Sequence, residues 1–367
     1  MSSSLQTRDT MTGTAAHSPS TPQSVPVEID RAPERSAWND YLYNRRPDAP
    51  LYHRLEWQGV YDVYRLPVHR LAATRDGEIV GILPLVEQRS RIFGQQLTSL
   101  PWFDAAGIVA DDEQARKALV DAAIQLAADR KVGWAHLREE HETGLSPHVR
   151  TDKVLMRLEL PDDADVLWKK LKASVRNQVR KSEKSGLTVQ DGGVELLDHF
   201  YQVYSFNMRD LGSPSHSRRF FEAVCENFAS DVRLFVVYGE SEPVGAGLTI
   251  ANGQRLEIPW ASSLRKYNSY CVNHGMYWRI LSFACDNRFD WFHFGRSTVD
   301  SGPWRFKKQW GSEAVPLYWY YLSQDDAVAS AAAEPPQERF GWGTQLWQRL
   351  PVAVSRQIGP RFIAKIP

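Results

Sequence analysis

The sequence predicts an α+β protein, a mixed α/β chain of two similar units in which mixed sheets are flanked by helices. Length is the first observation, because 367 residues exceed one ordinary domain and suit two. The second is an internal repeat between residues 126–137 (LAADRKVGWAHL) and 283–294 (FACDNRFDWFHF). The two segments align without gaps and share four residues: Ala127, Asp129, Trp134 and His136 against Ala284, Asp286, Trp291 and His293. A duplicated unit explains these matches better than chance similarity does.

Both units show the same order of elements. A hairpin of alternating apolar residues comes first, as in RLAATRDGEIVGILPLVEQ, where Asp76-Gly77 predicts a two-residue turn. A helix follows, over 112–130 in the first unit and 273–287 in the second, and a short aromatic strand closes each unit. Val-Gly and then Pro-Trp pairs recur in the same order in both units. The predicted units are residues 26–150 and 151–324.

Composition excludes several classes of function. Apolar residues make up 43% of the chain and charged residues 24%, as in a folded globular protein. Lys plus Arg equals Asp plus Glu at 44 each, so any anion site must be a local cluster. Three cysteines without metal-ligand spacing predict a cytoplasmic protein with no bound metal. No run reaches the ~18 apolar residues of a membrane span, and the Ser/Thr/Pro-rich residues 1–25 predict a disordered leader.

A strongly basic helix is predicted over residues 166–186, with Gly186 just beyond its end. Its buried stripe consists of apolar residues at helical spacing: Trp168, Leu171, Val175 and Val179. Beside it, cations recur every four residues: Lys172, Arg176, Arg180 and Lys184. Like charges at this spacing disfavour a helix, and only Glu183 offsets them. The cationic face either binds an anion such as phosphate or is solvated and finds acidic partners elsewhere.

A second basic stretch mixes cations with large aromatic residues. Residues 297–311 read STVDSGPWRFKKQWG and interleave three cations with three rings: Arg305, Lys307 and Lys308 with Trp304, Phe306 and Trp310. Such a mixture either decorates a surface or holds an anion against an apolar wall. The first unit has no counterpart of RFKK, which predicts a scaffold role for it. Among the scattered histidines, His274 at the start of a helix is the best catalytic candidate.

Three segments together resemble the Fem family of transferases. They read SVRNQVRKSEKSG, YSFNMRDLGSPSHSRRFFE and FGRSTVDSGPWRFKKQWGSE. The chain is most similar to the FemAB-related proteins of PEP-CTERM/exosortase and exopolysaccharide systems. The resemblance runs from about Val27 to Leu322 and implies two GNAT-type acyltransferase domains in tandem.

The resemblance also implies amide formation, in which an amine attacks an activated ester or thioester. The family's Phe-Lys motif falls on Phe306 and Lys307, so Lys307 is expected to stabilise the developing oxyanion or the donor's phosphate end. Asp300 and His274 are the expected proton acceptors. The expected substrate-binding residues are mainly basic and aromatic: Arg176, Arg180, Arg296, Arg305, Lys308, Trp304 and Trp260.

The co-substrate and the acceptor are left open at this point. No tightly bound cofactor is expected, and the donor is either acyl-CoA or aminoacyl-tRNA. Only Gly275 stands where acyl-CoA enzymes carry a glycine-rich loop, which weighs against acyl-CoA. The expected acceptor is an amino-sugar or peptidoglycan-type precursor. The alternatives are a non-catalytic module that binds carbohydrate or a partner, and a nucleic-acid-binding protein, which the neutral composition disfavours except for tRNA.

The C-terminal region, residues 325–367, reads as a linker followed by a basic tail. Its cations come without any acid after residue 338: Arg339, Arg349, Arg356, Arg361 and Lys365. Together with Leu, Val, Ile and Trp they predict either an interfacial helix at the inner membrane or docking on the protein's own surface. Pro351 and Pro360 would break a long helix, which favours docking.

Overall fold

The computed structural model describes residues 25–334 and 341–366, with no account of the side chains of residues 341 and 342. The predicted leader, apart from residue 25, and Arg339 of the predicted tail lie outside this part of the chain. The described chain is an α+β protein with two mixed sheets flanked by helices, as the sequence predicted.

The first sheet has eight strands in the order β1-β2-β3-β4-β6-β15-β7, with β5 paired to β3. Only β4 and β6 run parallel, and every other neighbouring pair is antiparallel. Its strands are β1 (Glu28–Asp30), β2 (Val68–Arg75), β3 (Glu78–Ser90), β4 (Gly94–Thr98), β5 (Val109–Ala110), β6 (Trp134–Glu139), β7 (Val149–Arg150) and β15 (Tyr318–Leu322).

The second sheet repeats this plan with seven strands in the order β9-β10-β11-β12-β13-β8-β14. Again a single pair, β12 and β13, is parallel. Its strands are β8 (Lys153–Glu159), β9 (Thr188–Gly192), β10 (Val232–Gly239), β11 (Glu242–Asn252), β12 (Arg255–Ser263), β13 (Trp291–Thr298) and β14 (Glu313–Pro316).

Twelve α-helices are found in the described residues, besides short 3₁₀ and π segments. Most of them cover the sheet faces. Their bounds are α1 (Arg35–Asp40), α2 (Trp57–Asp62), α3 (Glu113–Asp129), α4 (Ala164–Lys170), α5 (Ala173–Lys184), α6 (Leu197–Leu211), α7 (Arg218–Phe228), α8 (Val272–Asp286), α9 (Gly302–Lys308), α10 (Asp326–Ala333), α11 (Gly341–Gln348) and α12 (Val352–Ile363).

The predicted internal repeat is confirmed by the matching topology of the sheets. Helix α3 leads into β6 as α8 leads into β13. Strand β6 then pairs in parallel with β4, the last strand of an antiparallel meander, as β13 pairs with β12. The predicted turn at Asp76-Gly77 joins β2 to β3, with both residues at positive φ (54° and 82°), as a tight two-residue hairpin requires. The Asp112 carboxylate caps α3 by accepting from the Ala115 backbone N–H.

The two sheets exchange strands near the middle and the end of the chain. Strand β8 follows β7 directly but pairs with β13 in the second sheet, whereas β15 returns to pair with β6 in the first. Residues 318–322 therefore complete the first sheet although they fall in the range predicted for the second unit. The division at residues 150/151 stays a prediction for the rest of the chain.

The prediction of one helix over 166–186 was wrong, because two helices, α4 and α5, occupy this range. The backbone between them is extended at Leu171 and Lys172, with ψ near 143° and 145°. The break lets Leu171 stay buried and lets α4 end at Lys169 and Lys170, where cations favour the negative end of a helix dipole. Gly186 follows the end of α5 at φ 75°, as the sequence predicted.

Three large hydrophobic clusters hold the fold. One packs α3 on the first sheet, and a second packs α5 and α8 on the second sheet. The third joins both units, because Trp57, Val86 and Phe103 of the first lie in the same buried cluster as Phe200, Phe220 and Leu248 of the second. The units therefore share a continuous apolar core, which fixes the cleft between them.

Candidate functional site

The parallel strands β12 and β13 open into a fork. Residues Arg255–Glu257 of β12 pair with residues Trp291–His293 of β13, and beyond these residues the two strands separate. A bulge in β12 accompanies the opening, because the register with β11 shifts between Leu248 and Ile250. Bulges re-aim strands near functional sites. The separation leaves a space between two strands whose backbone groups would otherwise bond each other.

A cavity of about 170 Å³ lies at the fork. Strands β12 and β13 and helix α9 supply most of its wall, and the first unit adds residues from two loops. The lining residues are Tyr52, Trp102, Phe103, Asp104, Ile258, Pro259, Trp260, Phe294, Gly295, Arg296 and Lys307. The site is thus completed across the two units.

Lys307, on α9, reaches the fork from the side. Its Nζ donates to the carbonyl oxygens of Gly295 (3.0 Å) and Arg296 (2.7 Å) in β13. An ammonium has three N–H donors, so one remains for a group in the cavity. Burial lowers the pKa of Lys307 to about 8, although the nearby Asp104 opposes this shift. At neutral pH the group is mainly charged and can also release a proton.

Arg296 is held by Asp104 of the first unit. The Asp104 carboxylate accepts from the Arg296 backbone N–H (2.7 Å) and also from its guanidinium (3.2 Å). The same guanidinium lies 5.4 Å from the ring centre of Trp319 in β15. These contacts fix the β13 backbone whose carbonyls bind Lys307.

Behind the cavity lies a pair that sequence reasoning missed, Tyr52 and Glu257. The Tyr52 hydroxyl donates to Glu257 Oε2 at 2.9 Å, and both side chains are buried. Burial raises the pKa of Glu257 to about 7. The neighbouring His293 Nδ1 lies 3.8 Å from Oε1, but burial lowers its pKa to about 3, so this imidazole is neutral at pH 7. The available signal was a lone carboxylate in the apolar strand LEIPW.

Phe306, His274 and Trp310 form an aromatic wall beside Lys307. The Phe306 ring lies 5.2 Å from that of His274 and 5.1 Å from that of Tyr277. His274 Nε2 contacts the Gln309 amide at 3.2 Å, and burial lowers the pKa of this imidazole. The wall can exclude water from the Lys307 side chain, but none of these rings lines the cavity itself.

The remaining predicted residues fall into two groups. Trp260 lines the cavity with Lys307 and Arg296. The others lie on or before α9 and outside the cavity lining: Asp300, Trp304, Arg305 and Lys308. Asp300 is exposed in a turn at φ 60°, and the Lys308 ammonium lies 4.5 Å over the Trp304 ring. The described contacts join none of these four to Lys307.

The cations of α5 lie on the opposite side of that helix from the residues that touch the N terminus of α8. No ion pair is formed by Lys172, Arg176, Arg180 or Lys184 among the residues that the structure describes. The Arg176 Nε is buried without a hydrogen-bond partner. Helix α5 touches α8 where the Cys271 thiol donates to Gln178 Oε1 (2.6 Å) and where Gly275 meets Ser182.

No side chain caps the N terminus of α8, so its first backbone N–H groups and partial positive charge are left for solvent or a ligand. The acidic partners that the solvated alternative requires are not found within residues 25–334 and 341–366. Arg180 instead lies 5.5 Å over the ring of Trp168.

Among the described residues, no cluster of three or more His, Cys, Asp or Glu side chains could hold a metal ion. No described helix has both the length and the apolar character required to cross a bilayer.

Comparisons with known proteins agree with this geometry. Residues 169–308 match the family model of the acetyltransferase (GNAT) domain, a range that includes α5, α8, the fork and Lys307. None of the curated proteins compared with the chain matches it.

Three solved structures share the fold across most of the chain. FemX has a TM-score of 0.60 at 16% identity, over 80% of this chain and 97% of its own. L-PGS from Bacillus licheniformis has a TM-score of 0.55 at 11% identity, over 88% of this chain and 100% of its own. A tandem GNAT protein from the clavulanic acid biosynthesis pathway has a TM-score of 0.53 at 9% identity, over 85% of this chain and 100% of its own. At these identities the likeness shows the fold.

The protein therefore has the tandem GNAT-type fold, and the fold and the family match support an enzyme of the acyltransferase type. The description of the family model supports an acyl-CoA co-substrate, and no comparison supports the aminoacyl-tRNA alternative.

Proposed function

We propose that this protein transfers an acyl group from acyl-CoA to a primary amine at the fork of the second unit, forming an amide. The observation that carries the proposal is the Lys307 ammonium, which is held at the open end of β12 and β13 and faces the cavity. The GNAT match over residues 169–308 covers this arrangement.

The donor occupies the side of the fork nearest α5 and α8. Its pyrophosphate binds the uncapped N terminus of α8, and Arg176 and Arg180 of the neighbouring helix α5 attract its charge. The pantetheine arm enters the fork, where the unpaired edges of β12 and β13 offer backbone donors and acceptors. The thioester then lies in the cavity near Lys307.

The reaction begins when the neutral amine attacks the thioester carbonyl carbon. A C–N bond forms and the carbonyl electrons move to oxygen, where the Lys307 ammonium stabilises the oxyanion. The C–S bond then breaks as the carbonyl re-forms, and the CoA thiolate takes a proton. With a pKa of about 8, Lys307 is suited to supply that proton.

The attacking nitrogen must also lose a proton. Tyr52 lines the cavity and donates to Glu257, so a proton taken by the Tyr52 oxygen can pass to the carboxylate. Because its pKa is about 7, Glu257 can accept a proton near neutral pH. This pair is better placed than Asp300, which is exposed. His274 is turned towards Gln309.

The acceptor enters from the aromatic side of the cavity, between Trp102 and Trp260. Half-buried aromatic rings at the wall of a polar cavity suit the apolar face of a sugar ring next to an amine. We assign the acceptor to amino-bearing cell-envelope precursors, either peptidoglycan-type or of an exopolysaccharide of the PEP-CTERM kind. The similarity of fold to FemX supports this class.

The direct test is release of CoA thiol by the full chain when acyl-CoA and an amine are both present. Acetyl-CoA and longer acyl-CoAs are paired with glucosamine and with a peptidoglycan-type peptide, and the product is identified by mass spectrometry. We expect amine-dependent thiol release and an acylated product, with a higher KM for acyl-CoA in Arg176→Ala/Arg180→Ala. Saturable binding of sugar without any turnover would instead support the binding-module alternative, and binding of neither CoA nor acceptor would refute both.

A further inference from the structure

The C-terminal tail, residues 341–366 with α11 and α12, packs against α6 largely through polar contacts. Arg356 Nε donates to Ser205 Oγ (2.8 Å), and Arg209 donates to the Leu350 carbonyl (2.9 Å). These contacts confirm the docking alternative for the described tail. Three large apolar side chains of the tail nevertheless stay exposed, namely Leu346, Val354 and Phe362.

Helix α12 fully buries only small residues, while its larger apolar side chains are half-buried or exposed. Its buried residues are the small Ser355 and Gly359, and Gly359 packs so closely that an added Cβ would lie 2.9 Å from the Ser215 backbone. Val354 and Phe362, by contrast, are exposed. A helix stabilised by docking alone would place its apolar side chains against the body of the protein.

The exposed apolar side chains continue onto the neighbouring helices. We define the tail patch as five large apolar residues that are more than a third exposed: Phe206, Leu211, Leu346, Val354 and Phe362. Helices α6, α11 and α12, which carry them, pack together, and Trp347 joins the last two by an edge contact with Phe362 (5.6 Å). Twelve such exposed residues occur in the described chain, so nearly half of them gather here.

The tail itself carries charge of one sign, whereas α6 contributes Asp198 and Asp210, which pair with Arg218 and Arg209. No acidic residue occurs from 341 to 366. Arg349, Arg361 and Lys365 are exposed and form no ion pair among the described residues. A chain with no net charge therefore presents unpaired cations beside its largest group of exposed apolar side chains.

We propose that the tail patch is a docking surface for an anionic lipid bilayer. Apolar side chains enter the interface between headgroups and acyl chains, while the cations bind lipid phosphates, as in interfacial amphipathic helices. Each cation near an anionic membrane strengthens binding about fivefold, so three cations contribute about a hundredfold. The proposal concerns binding alone and holds whether or not the protein transfers acyl groups.

The tail also has a contact with the cavity wall. Trp102, which lines the cavity, donates its Nε1 to the carbonyl of Ile366 (2.9 Å) at the end of the tail. The end of the tail therefore lies against a residue of the cavity wall, on the acceptor side of the fork.

The test is co-sedimentation of the full chain with vesicles of phosphatidylcholine alone or with about 30% phosphatidylglycerol, at low and high salt. We expect binding to the anionic vesicles that salt weakens. The variant Arg349→Gln/Arg361→Gln/Lys365→Gln should bind about a hundredfold more weakly. Val354→Ser/Phe362→Ser should also weaken binding, and because both side chains are exposed its circular dichroism should match that of the wild type.

The matched control is Lys117→Gln/Lys131→Gln/Arg288→Gln, which removes the same charge from exposed sites away from the tail. Its vesicle binding should equal that of the wild type. Equal losses in the control and the tail variant would show non-specific charge attraction and overturn the proposal, as would no binding to anionic vesicles at low salt. Dimers that dissociate in the Phe362 variant would assign the patch to a second copy of the chain instead.

Discussion

The two forks of this duplicated fold differ in what fills them. In the first unit, residues Gln96–Thr98 of β4 pair with residues Trp134–His136 of β6. Beyond these residues the strands separate, as β12 and β13 do. There the chain itself enters the opening, because Ser99 and Ala106 donate backbone bonds to the carbonyls of His136 (2.9 Å) and Arg138 (3.0 Å). In the second unit a single side chain, that of Lys307, bonds the β13 carbonyls, and a cavity remains.

A buried carboxylate packs into the first fork, beside a second cavity of about 140 Å³ that Gly107, Arg138 and Glu139 help to line. Glu139 accepts from the Ile108 backbone N–H at 2.8 Å, and Gly107 lies so close that a Cβ there would collide with the carboxyl group. Burial raises the pKa of Glu139 to about 7. The comparison teaches that a duplicated scaffold can use the same opening for stability in one copy and leave it for a ligand in the other.

The largest effect is expected from Lys307→Ala, which removes the cation from the open fork. The kcat for acyl transfer should fall about 100- to 1000-fold, as when an oxyanion donor is lost. Lys308→Ala, which removes a neighbouring exposed cation, should change kcat less than about twofold. Steady-state kinetics on both variants measures this, and a similar kcat for the two alanine variants would place the chemistry outside the fork.

Glu257→Gln should lower kcat/KM about 100-fold and change the pH profile. In the wild type, kcat/KM should rise with pH through about 7 as Glu257 loses its proton, and fall above about 8 as Lys307 loses its own. The variant should lose the acid limb and keep the alkaline one. An unchanged acid limb would exclude Glu257 as the proton acceptor.

Gly107→Ala tests the packing in the first fork. The added methyl collides with the Glu139 carboxyl, so the free energy of unfolding should fall by about 1–3 kcal/mol. Denaturant unfolding measures the change, and Gly253→Ala in the open β11–β12 turn provides a comparison at positive φ without a collision. If Gly107→Ala costs no more than Gly253→Ala, the first fork is loosely packed and the contrast fails.

Glu139→Gln should change the pH dependence of stability. A carboxyl group whose folded pKa is raised binds its proton more tightly in the folded state, so it destabilises the fold as pH rises from about 4.5 to about 7. The amide removes this dependence, so the variant should gain about 2–3 kcal/mol on the wild type between pH 5 and pH 8. Urea unfolding at the two pH values tests it, and parallel losses in both proteins would contradict it.

Much of the fold could be predicted because it is set by local patterns. The Asp76-Gly77 turn, α3, α8 and the end of α5 at Gly186 follow from turn chemistry, apolar spacing and capping. The four matches of the repeat were enough to predict two similar sheets, since equivalent sequences fold into equivalent elements. Lys307 could be singled out only through the resemblance to a known family.

Only the tertiary structure determined which residues from distant parts of the chain contact each other. Strand β15 returns to the first sheet, Asp104 crosses to Arg296, and Tyr52 pairs with Glu257. Each contact joins residues distant in the chain, where no periodicity carries a signal, and the raised pKa of Glu257 arises from burial that the assembled units create. The sequence by itself determined two copies of one scaffold, and long-range packing decided which copy keeps an open fork.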